Sequence, residues 1–255
     1  MVATPSPINV LLIMDLSDRV KEPGEEGRDL AVVRMVADAF RERCRRVGYP
    51  FSRDRLRFQG VRTTVSRSDI TVDVGLINDT GEPVVTQIVP RLDRFVNLVS
   101  AEYREQFAFV GADLWGYLKD DFGALLRPAP SVNKIVLVTD GYLNFDAKMQ
   151  LGRPANTSMQ VGKLRSMANW KEQFPQYALR GIGRTFDRRF TQILILEIAP
   201  KLQPNSVNEM DILKMYWSTF CDSIGIECGN PQERILSNKV PASELKDRLD
   251  TFLNN

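Results

Sequence analysis

Histidine is absent from all 255 residues. The chain therefore has no imidazole to move a proton near neutral pH, lacks the commonest transition-metal ligand, and cannot build a Ser–His or Cys–His nucleophile pair. Cysteine is scarce. Cys44, Cys221 and Cys228 are odd in number and without the paired close spacing of a zinc site, so they read as buried or idle thiols rather than a disulfide framework. An excess of charge of either sign is also missing: 34 Lys and Arg stand against 32 Asp and Glu, a net +2. The molecule as a whole is not an electrostatic glove for nucleic acid or an anionic membrane, and any basic site must be local. No apolar run approaches the roughly 20 residues of a membrane-spanning helix. The opening MVATPSPIN has neither the charged head nor the hydrophobic body of a secretory signal, although a chain whose signal had been removed would read the same. The expectation is a cytoplasmic protein that does not engage membranes.

A hydrophobic content of 43% is enough to bury a substantial core, and the chain reads as a single domain over 1–255. Apolar runs alternate with helical patterns, as in a sheet sandwiched between helices. Residues 8 to 14 read as a buried strand and 29 to 46 as a helix with Leu30, Val33, Val36, Ala37 and Phe40 on one side. Strands follow at about 56 to 62 and 69 to 77. The link between them is short enough for a hairpin, which predicts one antiparallel edge strand. Helical patterns cover 90 to 107 and 112 to 125; continuous apolar strands at 134 to 139 and 191 to 198 must be central. A helix at 206 to 223, a weak strand near 224 to 227 and a surface helix at 242 to 253 complete the chain. The fold class is α/β, a Rossmann-like three-layer α/β/α domain with a mostly parallel sheet.

Two central strands finish in carboxylates: Met14-Asp15, and Val138-Thr139-Asp140-Gly141. Ligands of open parallel sheets bind outside the carboxyl ends of the strands, so the two acids meet at the functional edge. Such a pair repels itself unless a cation or a proton holds it, and hard oxygen ligands suit magnesium or manganese.

With DLSDR at 15 to 19, GADLWGYL at 111 to 118 and VTDG at 138 to 141, in this order, the chain resembles a von Willebrand factor type A domain from about residue 6 to 254. In that family Asp-x-Ser-x-Ser, a glycine-threonine turn and Thr-Asp-Gly together make a metal-ion-dependent adhesion site. The resemblance implies that Asp15, Ser17 and Asp140 are surviving ligands. Arg19 replaces the second serine and Ala112 the threonine, so two of three hydroxyls are lost and a permanent positive charge is gained. Magnesium demands near-octahedral geometry, which makes this a weakened or vestigial site. Two readings of Arg19 stand side by side: its guanidinium reaches back to Asp15 or Asp140 as a built-in cation, or it points to solvent while the aspartates cap nearby backbone amides.

The resemblance implies a non-enzymatic protein–protein interaction module, with no cofactor beyond magnesium or manganese at a weakened site and a protein partner of unknown identity. Partner-binding candidates are Asp18, Asp113, Tyr142 and Asn144. An alternative is a nucleic-acid-associated scaffold using residues 153 to 189, where eight Lys and Arg face only Glu172 and Asp187, an excess of six. Its plainer reading is a wet helix face and loop whose aromatics pack inward. A metal-dependent phosphoester hydrolase using Asp15, Asp18 and Asp140 comes last. The long basic insertion at 144 to 190 exceeds what a crossover needs and is expected to project in part as an irregular or mobile surface element. Trp115, Trp170 and Trp217 read as core anchors.

Overall fold

Eight consecutive residues of the first strand, β1 (Ile8–Asp15), are buried, as a strand covered on both faces requires. The computed structural model describes residues 6–17, 20, 22–49, 52–61, 69–73, 87–104, 112–143, 156–201 and 207–254. Within β1, Leu11 and Ile13 enter one hydrophobic cluster while Ile8, Val10, Leu12 and Met14 enter the other. This is the period-two alternation of a pleated strand with a core on each side. The same division recurs along β4 (Val132–Val138) and β5 (Thr191–Ile198).

The remaining strands are β2 (Arg55–Val61), β3 (Asp69–Asp73) and β6 (Ile235–Ser237), and the sheet runs in the order β3-β2-β1-β4-β5-β6. Every pairing is parallel except β2 with β3, which makes β3 the antiparallel edge strand. Helices α1 (Glu25–Val47), α2 (Ile88–Arg104) and α8 (Ala242–Asn254) supply the cluster on one face. On the other face lie α3 (Leu114–Asp120), α4 (Val161–Arg165), α5 (Trp170–Gln173) and α6 (Val207–Ser223). A last short helix, α7 (Pro231–Arg234), leads into β6. This is the three-layer α/β/α domain with a mostly parallel sheet that the sequence pattern predicts. Among the described residues, no helix is long and apolar enough to cross a membrane.

Two expectations need correction. Residues 224 to 227 are not a strand: Gly225 has φ 71°, the Ile226 amide donates back to the Cys221 carbonyl at 2.9 Å, and Glu227 makes only an isolated bridge to Gln192. The segment is the turn that ends α6, and the sixth strand comes later, at β6. The helix expected over 112 to 125 begins at Leu114, because Asp113 caps it by accepting from the Gly116 amide at 2.8 Å. It is followed by a separate 3₁₀ turn at Phe122–Leu125.

Of the basic insertion, residues 144–155 lie outside the described residues, whereas the apolar side of 156 to 190 packs onto the sheet, with residues 183–185 and 187–189 exposed as an irregular surface. Met159, Val161, Leu164, Trp170, Phe174, Leu179 and Ile182 are all buried in one cluster with Trp115 and Trp217. The short helical turns here are irregular because Pro175 and a chain of small and polar residues interrupt them, yet their apolar side is core.

Candidate functional site

The β1–β4 register, Ile13 with Leu137 and Met14 with Val138, brings the residues that follow each strand to one edge of the sheet. Asp15, Thr139 and Asp140 are all buried there. The two oxygens of Asp15 face different partners: Oδ1 accepts from the Ser17 amide at 3.0 Å and Oδ2 from the Thr139 hydroxyl at 2.8 Å. Thr139 Oγ1 in turn accepts from the Gly141 amide at 3.1 Å. Gly141 has φ 94°, and a Cβ there would stand 2.7 Å from Ile198 Cδ1, so this turn requires glycine on two counts.

Asp140 is split in the same way. Oδ1 accepts from the Tyr142 amide at 3.0 Å, while Oδ2 meets the ammonium of Lys201 at 2.8 Å. Lys201 follows β5, and its ammonium also lies 5.0 Å from the centre of the Tyr142 ring. The Tyr142 hydroxyl donates to Oε1 of Glu209, a fully buried carboxylate in the first turn of α6, and accepts from the Lys201 amide at 3.0 Å. Burial, then the Glu209 carboxylate, pushes the phenol well above its ordinary value, so Tyr142 is a hydrogen-bond donor and not an acid at neutral pH. Arg165 Nη1 stands 3.9 Å from the other oxygen of Glu209. Trp217 Nε1 donates to the Gly141 carbonyl at 3.0 Å, which ties α6 to the same turn.

The structure thus unites Asp15, Ser17, Asp140 and Tyr142. Asp113 is the cap of α3, and the Ala112 methyl is part of the core. Asp18, Arg19 and Asn144 lie outside the described residues, and with them the lock through Arg19. Sequence reading missed Thr139 as a partner of Asp15 and missed Lys201 and Glu209 altogether. Thr139 was visible inside VTDG. The other two had no local signal, because they are brought in by the crossover after β5.

A divalent cation fits this donor set poorly. Both aspartates already receive amide, hydroxyl or ammonium donors. Among the described residues, no group of three carboxylate or thiol side chains is placed to hold a metal ion, hydroxyl ligands such as Ser17 being left aside.

Beside Asp140 a cleft of about 460 Å³ opens between the start of α1 and the end of β5. Glu22, Glu25 and Arg28 line one wall, and Asp140, Pro200 and Lys201 the other. Glu197 sits buried behind Arg28, its Oε2 3.5 Å from Nε.

No family model matches the chain, and no curated protein does. Among solved structures, the pilus adhesin SpaC from Lactobacillus rhamnosus GG in its open conformation is similar over 98% of this chain at 12% identity, with a TM-score of 0.43. A second crystal form of the same adhesin covers 97% at 12% identity, with a TM-score of 0.42. In both cases this chain spans 30% of the adhesin's length. Likeness at that level carries no argument about family or function.

Proposed function

We propose that the chain is a non-enzymatic protein-interaction module of von Willebrand A type, engaging a protein partner at the edge formed by the ends of β1 and β4 with weak or no dependence on divalent metal. The observation that carries this reading is the Lys201 ammonium 2.8 Å from Asp140 Oδ2. A carboxylate pair at the ligand-binding edge of a parallel sheet needs positive charge, and here a side chain supplies it. The motif resemblance at Asp15, Ser17 and Asp140 supports the choice of face. Four of the eight cations of the basic segment 153 to 189 are engaged within the chain, which disfavours the nucleic-acid alternative. Arg188 pairs with Glu227 and Asp222, Arg189 with Asp187, and Lys163 and Lys171 lie over Tyr177 and Trp170.

The test is partner capture with the purified chain in magnesium or in chelator, comparing wild type with Lys201→Glu and Asp140→Ala after a check of fold. Capture that survives chelator and is lost in both variants is the expected result. Capture indifferent to both variants, or strictly dependent on metal, would overturn the reading.

A further inference from the structure

Lys134 stands near the start of β4, at the end of the sheet opposite Asp140, between Val10 of β1 and Gln192 of β5. Strand alternation turns it to the face of Val136 and Val138, under α1 and α8, where it is only 2% exposed. A buried ammonium needs an anion or a full set of acceptors. Lys134 has neither among the described residues: of the three acceptors its N–H groups can use it finds one, Gln192 Oε1 at 2.6 Å, and no carboxylate pairs with it.

The neighbours add positive charge. Arg234, at the end of α7, lies over the same Phe252 ring as Lys134, with the ring centre 4.6 Å from its Cζ and 5.1 Å from Lys134 Nζ. Its Nη1 is buried and has no hydrogen-bond partner. Arg43 of α1, with a side chain 11% exposed, also acts on Lys134. Asp54 beside Arg43 is already committed: Oδ1 accepts from the Ile8 amide at 2.7 Å, and Oδ2 accepts from the Ser52 hydroxyl at 3.0 Å and stands 3.5 Å from Arg43 Nε. Glu227 and Glu233 influence Arg234 from beyond ion-pair distance; Glu227 is held by Arg188 and the Gly229 amide, and Glu233 is exposed. Three cations against Asp54 leave an excess of two positive charges. Burial first, then repulsion from Arg234 and Arg43, lowers the Lys134 pKa to about 8, which leaves part of the amine neutral and nucleophilic near neutral pH.

We propose that Lys134 is a site of reversible carbamylation by dissolved carbon dioxide, with the carbamate held by the guanidinium groups of Arg234 and Arg43. The amine lone pair attacks the carbon of carbon dioxide, the N–C bond forms as a C=O π pair moves onto oxygen, and one N–H proton leaves to bulk water. No oxidant or reductant is needed. One positive charge becomes one negative charge, which cancels the excess of two. The planar carbamate suits a guanidinium fork and gives Arg234 Nη1 the acceptor it lacks, while the N–H that remains still donates to Gln192. Carbon dioxide is small and uncharged, so it enters a buried site without the desolvation penalty of a free anion.

The experiment equilibrates the full chain with ¹³C-bicarbonate at constant ionic strength, with chloride as the balancing anion, and records ¹³C spectra. A parallel sample is trapped with a trialkyloxonium salt and mapped by mass spectrometry. A carbamate resonance present in the wild type and missing from Lys134→Met is expected, with the trapped adduct on Lys134 and a formation constant lowered roughly tenfold in Arg234→Gln. The α-amino group can form its own carbamate, which Lys134→Met retains and therefore subtracts. Bicarbonate should raise the melting temperature of the wild type and leave that of Lys134→Met unchanged. Lys134→Met removes a buried charge, so it keeps the test decisive even if Arg234→Gln fails to fold. No adduct, an adduct confined to the α-amino group, or a formation constant unchanged in Arg234→Gln overturns the proposal. Stabilisation by formate or chloride equal to that by bicarbonate, without an adduct, overturns it in favour of a bound anion.

Discussion

Thr139 Oγ1 donates to Asp15 Oδ2 at 2.8 Å, joining the ends of β4 and β1 across 124 positions of sequence. Both residues are buried, so this bond stands between a carboxylate and the cost of burying it with one fewer donor. Thr139→Val keeps the shape and removes the donor. It should cost about 2 kcal/mol in urea unfolding, with Thr139→Ser close to wild type. Equal stability of the valine and serine variants would show that the bond contributes nothing.

At the other end of the sheet, Lys134 is almost fully buried, with its ammonium 2.6 Å from Gln192 Oε1 and 5.1 Å from the Phe252 ring centre. Burial first, then the charges of Arg234 and Arg43, pull its pKa down from 10.5 to about 8. The unfolded chain therefore binds more protons than the native one between about pH 8 and 10.5. The penalty of the buried charge is fully present below about pH 8 and is relieved as pH rises through that window. Lys134→Met should stabilise the protein at pH 7, by an amount on the order of 3 kcal/mol at most. Its advantage over wild type should shrink by pH 9.5 in denaturant titrations. An advantage that is constant with pH would contradict the shift.

The metal prediction follows from Lys201. Its ion pair with Asp140 is partly exposed, so Lys201→Ala should change stability by less than about 1 kcal/mol. Millimolar magnesium should raise the wild-type melting temperature very little, whereas a ligand at a hundredfold excess over its Kd contributes about 2.7 kcal/mol. Combining Arg19→Ser and Ala112→Thr, which supply the hydroxyls of the family motif, with Lys201→Ala, which removes the ammonium from Asp140, should create a measurable magnesium or manganese response. A clear metal-dependent rise in the wild type, abolished by Asp140→Ala, would reverse this view.

Thiol chemistry offers a test of packing. Cys44, Cys221 and Cys228 are all buried and free, and burial pushes the Cys44 thiol up to about 12. Since a buried sulfur is out of the reagent's reach, an aromatic disulfide reagent at pH 8 should leave all three unmodified in the native protein and label all three in urea. Rapid native labelling of any one would mean that its part of the core opens readily.

Trp217 joins core to site, since its ring is fully buried and its Nε1 donates to the Gly141 carbonyl at 3.0 Å. Trp217→Ala should cost about 3–5 kcal/mol in unfolding free energy. Trp217→Phe keeps most of the volume and loses the bond, so it should cost less and act mainly on partner capture. A phenylalanine variant as destabilised as the alanine one would place the importance in the hydrogen bond.

The three-layer architecture was legible because each central strand is an unbroken apolar run and each long helix carries an apolar stripe; those patterns depend only on local periodicity. The placing of Asp15 and Asp140 at one edge of the sheet was legible for the same reason, since they stand directly after such runs. β6 was not, because three residues carry too short a pattern, and Ile226 looked apolar enough to be taken for it. In residues 156 to 190 the inward-packing aromatics, Trp170 among them, were legible, whereas a dense run of basic side chains hid the spaced Val161 and Leu164 that also enter the core.

What the amino-acid sequence determined by itself is which strands are central, which face each of their residues takes, and which ends carry carboxylates. What only the tertiary structure decided is what those carboxylates touch. Thr139 reaches Asp15 because β4 lies beside β1, Lys201 reaches Asp140 because the chain leaves β5 over the same edge, and Arg28 stands before Glu197 because α1 begins above the end of β5. Periodicity is a property of neighbours along the chain, whereas electrostatic pairing falls off with distance through space. The charge that balances this site comes from residues tens of positions away, and only the fold brings them within reach.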